Sequence, residues 1–227
     1  MAPGIDAVRR NWRVCVVLQT IALLLVIGYY RVDAIRTFCH TLGDMKATGG
    51  LLFSGLAGLI AGALLPEIAK TFVLGQWHFP SKRLRNIAFA MFGFAGAGII
   101  TDLQYRLFNI VIGPGTDPAT VVTKVLVDQF VTTPIWGVPY WIVVYTWRSN
   151  RFSIAATLRQ MTPRWYVTRC LPLLLPCWCY WIPMTALIFS LPAGLQFCLF
   201  ALAIAAWSLV MIVIASRPHE PAPEAAV

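Results

Sequence analysis

Charge is scarce in this chain. Asp, Glu, Lys and Arg together make up 12% of its 227 residues, while 59% are hydrophobic. A soluble globular domain is nearer about a quarter charged and half apolar. The shortfall excludes a single soluble domain, because one core of this size has no room for so much apolar surface. Acids are scarcer still, with nine carboxylates against eighteen Lys and Arg. Histidine occurs three times, at His40, His78 and His219, each outside the apolar runs. A rhomboid-like protease or an intramembrane haem site therefore has no imidazole to use. H-E-x-x-H, a Walker loop and G-x-G-x-x-G before a helix are all missing. Six cysteines form no C-x-x-C, and Cys177-Trp178-Cys179 has no second half for a zinc site. The sequence thus points away from an enzyme and implies no metal and no cofactor.

What is present is a succession of long apolar runs. Val14–Tyr30 spans about 25 Å as a helix, enough for a bilayer core. Arg9, Arg10 and Arg13 precede it, and no signal-peptidase pattern follows Tyr30, so it reads as a retained first span. A mixed stretch from Arg31 to Lys46 predicts a short interfacial helix. Further runs cover 49–74, 86–107, 121–147, 171–191 and 193–216. The expected fold is an all-α polytopic membrane helix bundle of five or six transmembrane helices. Residues 1–13 form a basic cytoplasmic tail, 14–216 one membrane domain, and 217–227 a Pro/Ala-rich disordered tail.

The net charge of +9 would suit nucleic acid if the basic residues were clustered. They lie between apolar runs instead, so the bilayer is the expected partner and nucleic acid is not. With the N-terminus inside, Arg9, Arg10, Arg13, Lys70, Lys82, Arg83, Arg85, Arg148, Arg151, Arg159, Arg164, Arg169 and Arg217 fall on the cytoplasmic side. That is thirteen of eighteen, the bias expected of positive-inside topology. The joint Ser190-Leu191-Pro192 is so short that the last two runs read either as two spans joined by a tight turn or as one kinked or re-entrant element, which would leave five spans and the C-terminus outside.

Ionisable groups inside hydrocarbon are costly and usually face a bundle interior or a watery cavity. Glu67, Asp102 and Asp128 each have a base at helical spacing: Lys70, Arg106 and Lys124. Local ion pairs are one reading. A polar path is the other, with Asp128, Gln129, Thr132 and Pro134 as its centre. Proline cannot donate to the carbonyl one turn back, which in an α-helix belongs to Phe130. Gly55, Gly58, Gly62 and Gly98 mark close helix packing, and Gly58-x-x-x-Gly62 can seat another helix. Most of the nine tryptophans suit interfacial belts. Trp178 and Trp181 sit instead within a proline-broken run.

Lys124-Val-Leu-Val-Asp128-Gln129-Phe-Val-Thr-Thr-Pro134 resembles the K-x-x-x-D-Q-x-x-x-x-P signature of the Mpv/peroxisomal-membrane-protein family. Trp178-Cys-Tyr-Trp181-Ile-Pro183 is similar to that family's W-x-x-W-P, with one extra residue before the proline. Phe189, Pro192, Trp207 and Ala215-Ser216 continue the order, so the likeness covers about 47–216. Departures are plain. The family's G-P-x-x-H-x-W-Y keeps only Gly98 and Tyr105, and Asp102 stands at its His position. The resemblance implies a distant, bacterial member in a cell inner membrane; a eukaryotic one would sit in a mitochondrial inner or peroxisomal membrane. It implies a channel or pore-like protein for small solutes. A non-transporting assembly protein, binding a copy of itself or another membrane protein through the Gly58 face, is the alternative.

Overall fold

The computed structural model describes residues 2–215. The expected tail 217–227, and the side chains of Arg9, Arg10 and Arg13 in the basic segment, lie outside the described residues. Among the described residues every regular element is helical. Helix α1 (Ala2–Arg31) ends where Val32 turns extended, and α2 (Asp33–Leu59) starts at once. Inside α2, Gly50 has φ 53° and ψ −132°, a left-handed conformation that glycine tolerates and other residues resist. The Arg31–Lys46 stretch is therefore helical, forming the first arm of a broken α2. A π-helical segment, Ile60–Leu64, leads into α3 (Leu65–Val73). Helix α4 (Ser81–Val111) follows.

Asp117 caps α5 (Pro118–Val127) by accepting from the Thr120 amide, and Pro118 supplies a helix-ready φ at the first turn. The rod continues through a ten-residue π-helical segment, Asp128–Gly137, into α6 (Val138–Ser149). Short helices α7 (Ile154–Gln160) and α8 (Pro163–Trp165) precede a π-helical turn, Tyr166–Cys170. Helices α9 (Leu171–Phe189) and α10 (Ala193–Ala215) complete the chain.

Three rods are long and apolar enough to cross a membrane: Asp33–Phe72, Ser81–Val111 and Pro163–Phe189. Cys15–Arg31 and Ala193–Ser208 are apolar over shorter lengths. The Pro118–Ser149 rod, expected as a span, does not reach that apolarity, because Lys124, Asp128, Gln129 and five threonines dilute it. The outer surface is oily. Leu52, Phe72, Phe92, Ile110 and Ile135 are among its exposed side chains. Water would penalise such a surface, whereas lipid tails do not.

Helix α10 is apolar around its whole circumference and sits centrally, packed against α1, α2, α3, α4 and α9. A helix with no polar face has to be surrounded. Tyr180 donates to the Ala203 carbonyl at 3.1 Å. These two residues lie at nearly equal distances in sequence from the Ser190–Pro192 turn, so α9 and α10 fold back on each other as an antiparallel hairpin. Between them and α4 lies the main core, where Phe189 meets Tyr105 and Phe108 with ring centroids 5.1 and 6.0 Å apart.

Helices α2 and α4 approach most closely at glycine. A Cβ on Gly98 would lie 2.4 Å from the Ser54 carbonyl oxygen, and one on Gly58 would lie 2.5 Å from that of Phe94. A Cβ on Gly62 would enter the Phe94 ring, and one on Gly55 would press on Ile99. The glycine face expected to receive a separate partner is thus filled by the chain's own α4. Backbone atoms cannot swing aside, so Gly58→Ala and Gly98→Ala should each destabilise by about 1–3 kcal/mol, the usual cost of overpacking. Thermal unfolding in detergent would show it. Gly194→Ala, with nothing within 4 Å, is the control. Equal stability of all three variants would contradict the crossing.

Candidate functional site

Helix geometry divides the polar residues of α4 between two faces. At about 100° per residue, Asp102 and Gln104 point in nearly opposite directions. Asp102 faces α2 and is 1% exposed. It accepts from the Ser54 hydroxyl at 2.8 Å, and pairs with Lys46 at 2.7 Å and Arg106 at 3.0 Å. The expected Arg106 pair is present, and Lys46 is an additional partner from the first arm of α2. Two cations and a hydroxyl balance this carboxylate, which makes it a structural brace between α2 and α4.

Glu67 is likewise a brace. It pairs with Lys70 at 2.6 Å, as its spacing suggests, and with Arg83 at 3.0 Å. Arg83 also donates to the carbonyls of Gln76 and His78, so it clasps the connection between α3 and α4.

The third local pair does not form. Lys124 is fully buried, but its ammonium donates to Asn109 Oδ1 at 2.6 Å rather than to Asp128. Asn109 reaches on to Gln196 Oε1 at 3.5 Å, and Gln196 donates to the Leu191 carbonyl at 3.0 Å. The lysine thereby belongs to a chain of neutral groups tying α5 to α4 and to the start of α10.

Asp128 opens the π-helical segment and, among the described residues, accepts from neutral donors. Its Oδ1 accepts from Gln104 Nε2 at 2.5 Å and Thr132 Oγ1 at 3.1 Å; its Oδ2 accepts from Gln129 Nε2 at 2.6 Å. Gln104 Oε1 in turn accepts from Trp136 Nε1 at 2.9 Å. These groups form one wall of a cavity of about 760 Å³ bounded by α1, α4, the Asp128–Gly137 segment, α6, α9 and α10. Thr101, Gln104 and Tyr105 line it from α4. Its other walls are largely aromatic, with Trp136, Trp141, Trp181, Phe200 and Trp207 among them.

Asp128, Gln129 and Thr132 thus line a cavity together. Lys124, Asp102, Arg106, Glu67 and Pro134 do not, so Asp102 and Asp128 do not share one path. Pro134 acts through the backbone. In π register an amide bonds the carbonyl five residues back, as Val138 does with Thr133. The carbonyl left bare by Pro134 is therefore that of Gln129, one residue before the Phe130 expected for an α-helix. The Trp178 indole fills it, donating at 2.8 Å. Pro134's own carbonyl accepts from the Tyr166 hydroxyl at 2.9 Å.

The same device recurs at Pro183, which in α register vacates the Cys179 carbonyl. Gln19 Nε2 from α1 donates to it at 3.1 Å and to the Tyr180 carbonyl at 3.2 Å. Trp178 is therefore an internal brace, while Trp181 lines the cavity and meets Phe200 at 5.8 Å. Sequence reasoning passed over Gln19, Gln104, Asn109 and Gln196. Their signal was being neutral amides inside apolar runs.

No protein-family model matches the chain, and no curated protein or solved structure matches it significantly. The geometry itself is what assigns the site.

The Trp178 link can be measured by coupling. Trp178→Phe strands a buried carbonyl and should cost about 1–3 kcal/mol in unfolding experiments. In a Pro134→Ala background, the restored amide can occupy the Gln129 carbonyl, so the same substitution should cost less. Purely additive costs would show that indole and amide do not compete for that oxygen.

Proposed function

We propose that this is a multi-span, channel-like membrane protein that passes small solutes through the cavity beside Asp128 and Gln129. The observation that carries the reading is the cavity itself: a volume of about 760 Å³ inside a bundle whose outer surface is apolar, with a polar wall on one side. Ligand sites usually combine mostly apolar walls with a few convergent polar groups. Here the polar groups lie in a π-helical stretch, a form often found at functional positions.

In this reading the chain crosses the membrane six times. The crossings are α1, the broken α2–α3 rod, α4, the α5–α6 rod, α9 and α10, with both ends on the cytoplasmic side. The antiparallel α9–α10 hairpin and the basic connections before α4 and before α9 support that count. The resemblance to the Mpv/peroxisomal-membrane-protein family is in keeping with it, since the motif residues Asp128, Gln129 and Trp178 meet in one cluster. The assembly reading has less support, because α4 occupies its glycine face.

Purified protein reconstituted into vesicles should release small trapped solutes at a rate proportional to protein, and Asp128→Ala should change that rate severalfold. Cys15, Cys177 and Cys179 line the cavity and offer an independent handle. A membrane-permeant thiol reagent should block release, and should fail to do so once all three are alanine. Release no faster than from protein-free vesicles would sink the reading.

A further inference from the structure

Among the described residues that line the cavity, Asp128 is the one side chain charged at neutral pH. Its carboxylate meets amides and a hydroxyl, and no described lysine, arginine or histidine pairs with it. Asp102 shows the contrast: of similar burial, it holds two cations. Lys124, one helical turn before Asp128, is committed to Asn109. The titratable groups facing Asp128 from the neighbouring helices are Tyr105 on α4 and Cys177 on α9, both weak acids. On α6, Tyr140 spends its hydroxyl on the Gly93 carbonyl at 2.7 Å. Hydrogen bonds to neutral donors ease the burial of an anion but leave its charge uncompensated.

A second acceptor stands beside the first. Gln129 is 1% exposed, and its Oε1 is a buried oxygen with no donor among the described residues. Its amide nitrogen is held by Asp128 Oδ2, which fixes the oxygen as the free end. Two donors beside it are engaged: Gln104 Nε2 on Asp128 and Thr132, and Trp136 Nε1 on Gln104. Asp128 thus gives this wall a negative charge, with Gln129 packed behind it. Facing it are the rings of Tyr105, Trp136, Trp141, Trp181, Phe200 and Trp207. Aromatic faces attract cations.

We infer that the cavity binds a monovalent organic cation with an apolar or aromatic body, its charge set against Asp128 and its bulk against the rings. The inference rests on the cavity being the solute site, and it names the class of solute. A proton competes for the same carboxylate, so affinity falls as pH is lowered.

The probe is tetraphenylphosphonium, with tetraphenylborate as the anion of the same shape. Both are titrated into purified full-length protein in detergent, followed by tryptophan fluorescence and calorimetry. The phosphonium should bind saturably and at least about tenfold more tightly than the borate. Asp128→Asn should weaken phosphonium binding by about tenfold and leave borate binding unchanged or tighter. Equal affinity for the two ions would overturn the inference on wild-type protein alone, whatever the folding of the variant. So would a phosphonium affinity that survives Asp128→Asn, or no saturable binding at all. Solute release without cation preference would leave the channel reading standing and remove this one; cation binding without solute release would do the reverse.

Discussion

No peptide group can be left bare inside an apolar bundle, and this requirement organises the structure. Prolines break the hydrogen-bond ladders of the two rods that form one side of the cavity, Pro134, Pro176 and Pro183 among them. Two of the vacated carbonyls are filled from neighbouring helices, by the Trp178 indole and by the Gln19 amide. Each such donor also fixes the distance and rotation of the helix it comes from. The prolines therefore join helices as much as they interrupt them, because an unsatisfied carbonyl in a medium without water costs several kcal/mol.

The two buried aspartates show how context sets the role of one residue type. Asp102 lies where glycines bring α2 and α4 into backbone contact, close enough for Ser54 and Lys46 to reach it. Its charge is matched, and it holds two helices together. Asp128 lies across from α4's other face, where Gln104 is the partner and the space beyond is open. Its charge is eased by neutral donors and, among the described residues, meets no cation. A matched carboxylate braces the bundle; an unmatched one on a cavity wall offers a place for a ligand.

Much of the all-helical architecture was legible in the sequence. The apolar runs map onto α1, the second arm of α2, α4, the α5–α6 rod, α9 and α10, and the pairs Glu67–Lys70 and Asp102–Arg106 follow from helical spacing. Asp128, Gln129 and Trp178 stood out as polar or proline-flanked positions within those runs. What was hidden depended on register and distance. A π register moves the bare carbonyl from Phe130 to Gln129, and no local spacing announces it. Lys124 turns to Asn109, fifteen positions back, and Gln104 finds Asp128 twenty-four positions on. Such partners follow from which helices lie side by side, and runs of apolar residues do not encode that.

The exchange at Trp178 and Cys179 also has a mechanical side. Helix α9 gives a hydrogen bond to the Asp128–Gly137 segment at one residue and receives one from α1 at the next. Sliding any of these three against the others breaks a bond between helices. They form a stiff panel along one side of the cavity. The compliance of the bundle is concentrated elsewhere, at Gly50, where the α2 ladder is interrupted and no atom lies within 4 Å of an added Cβ to oppose a change of angle.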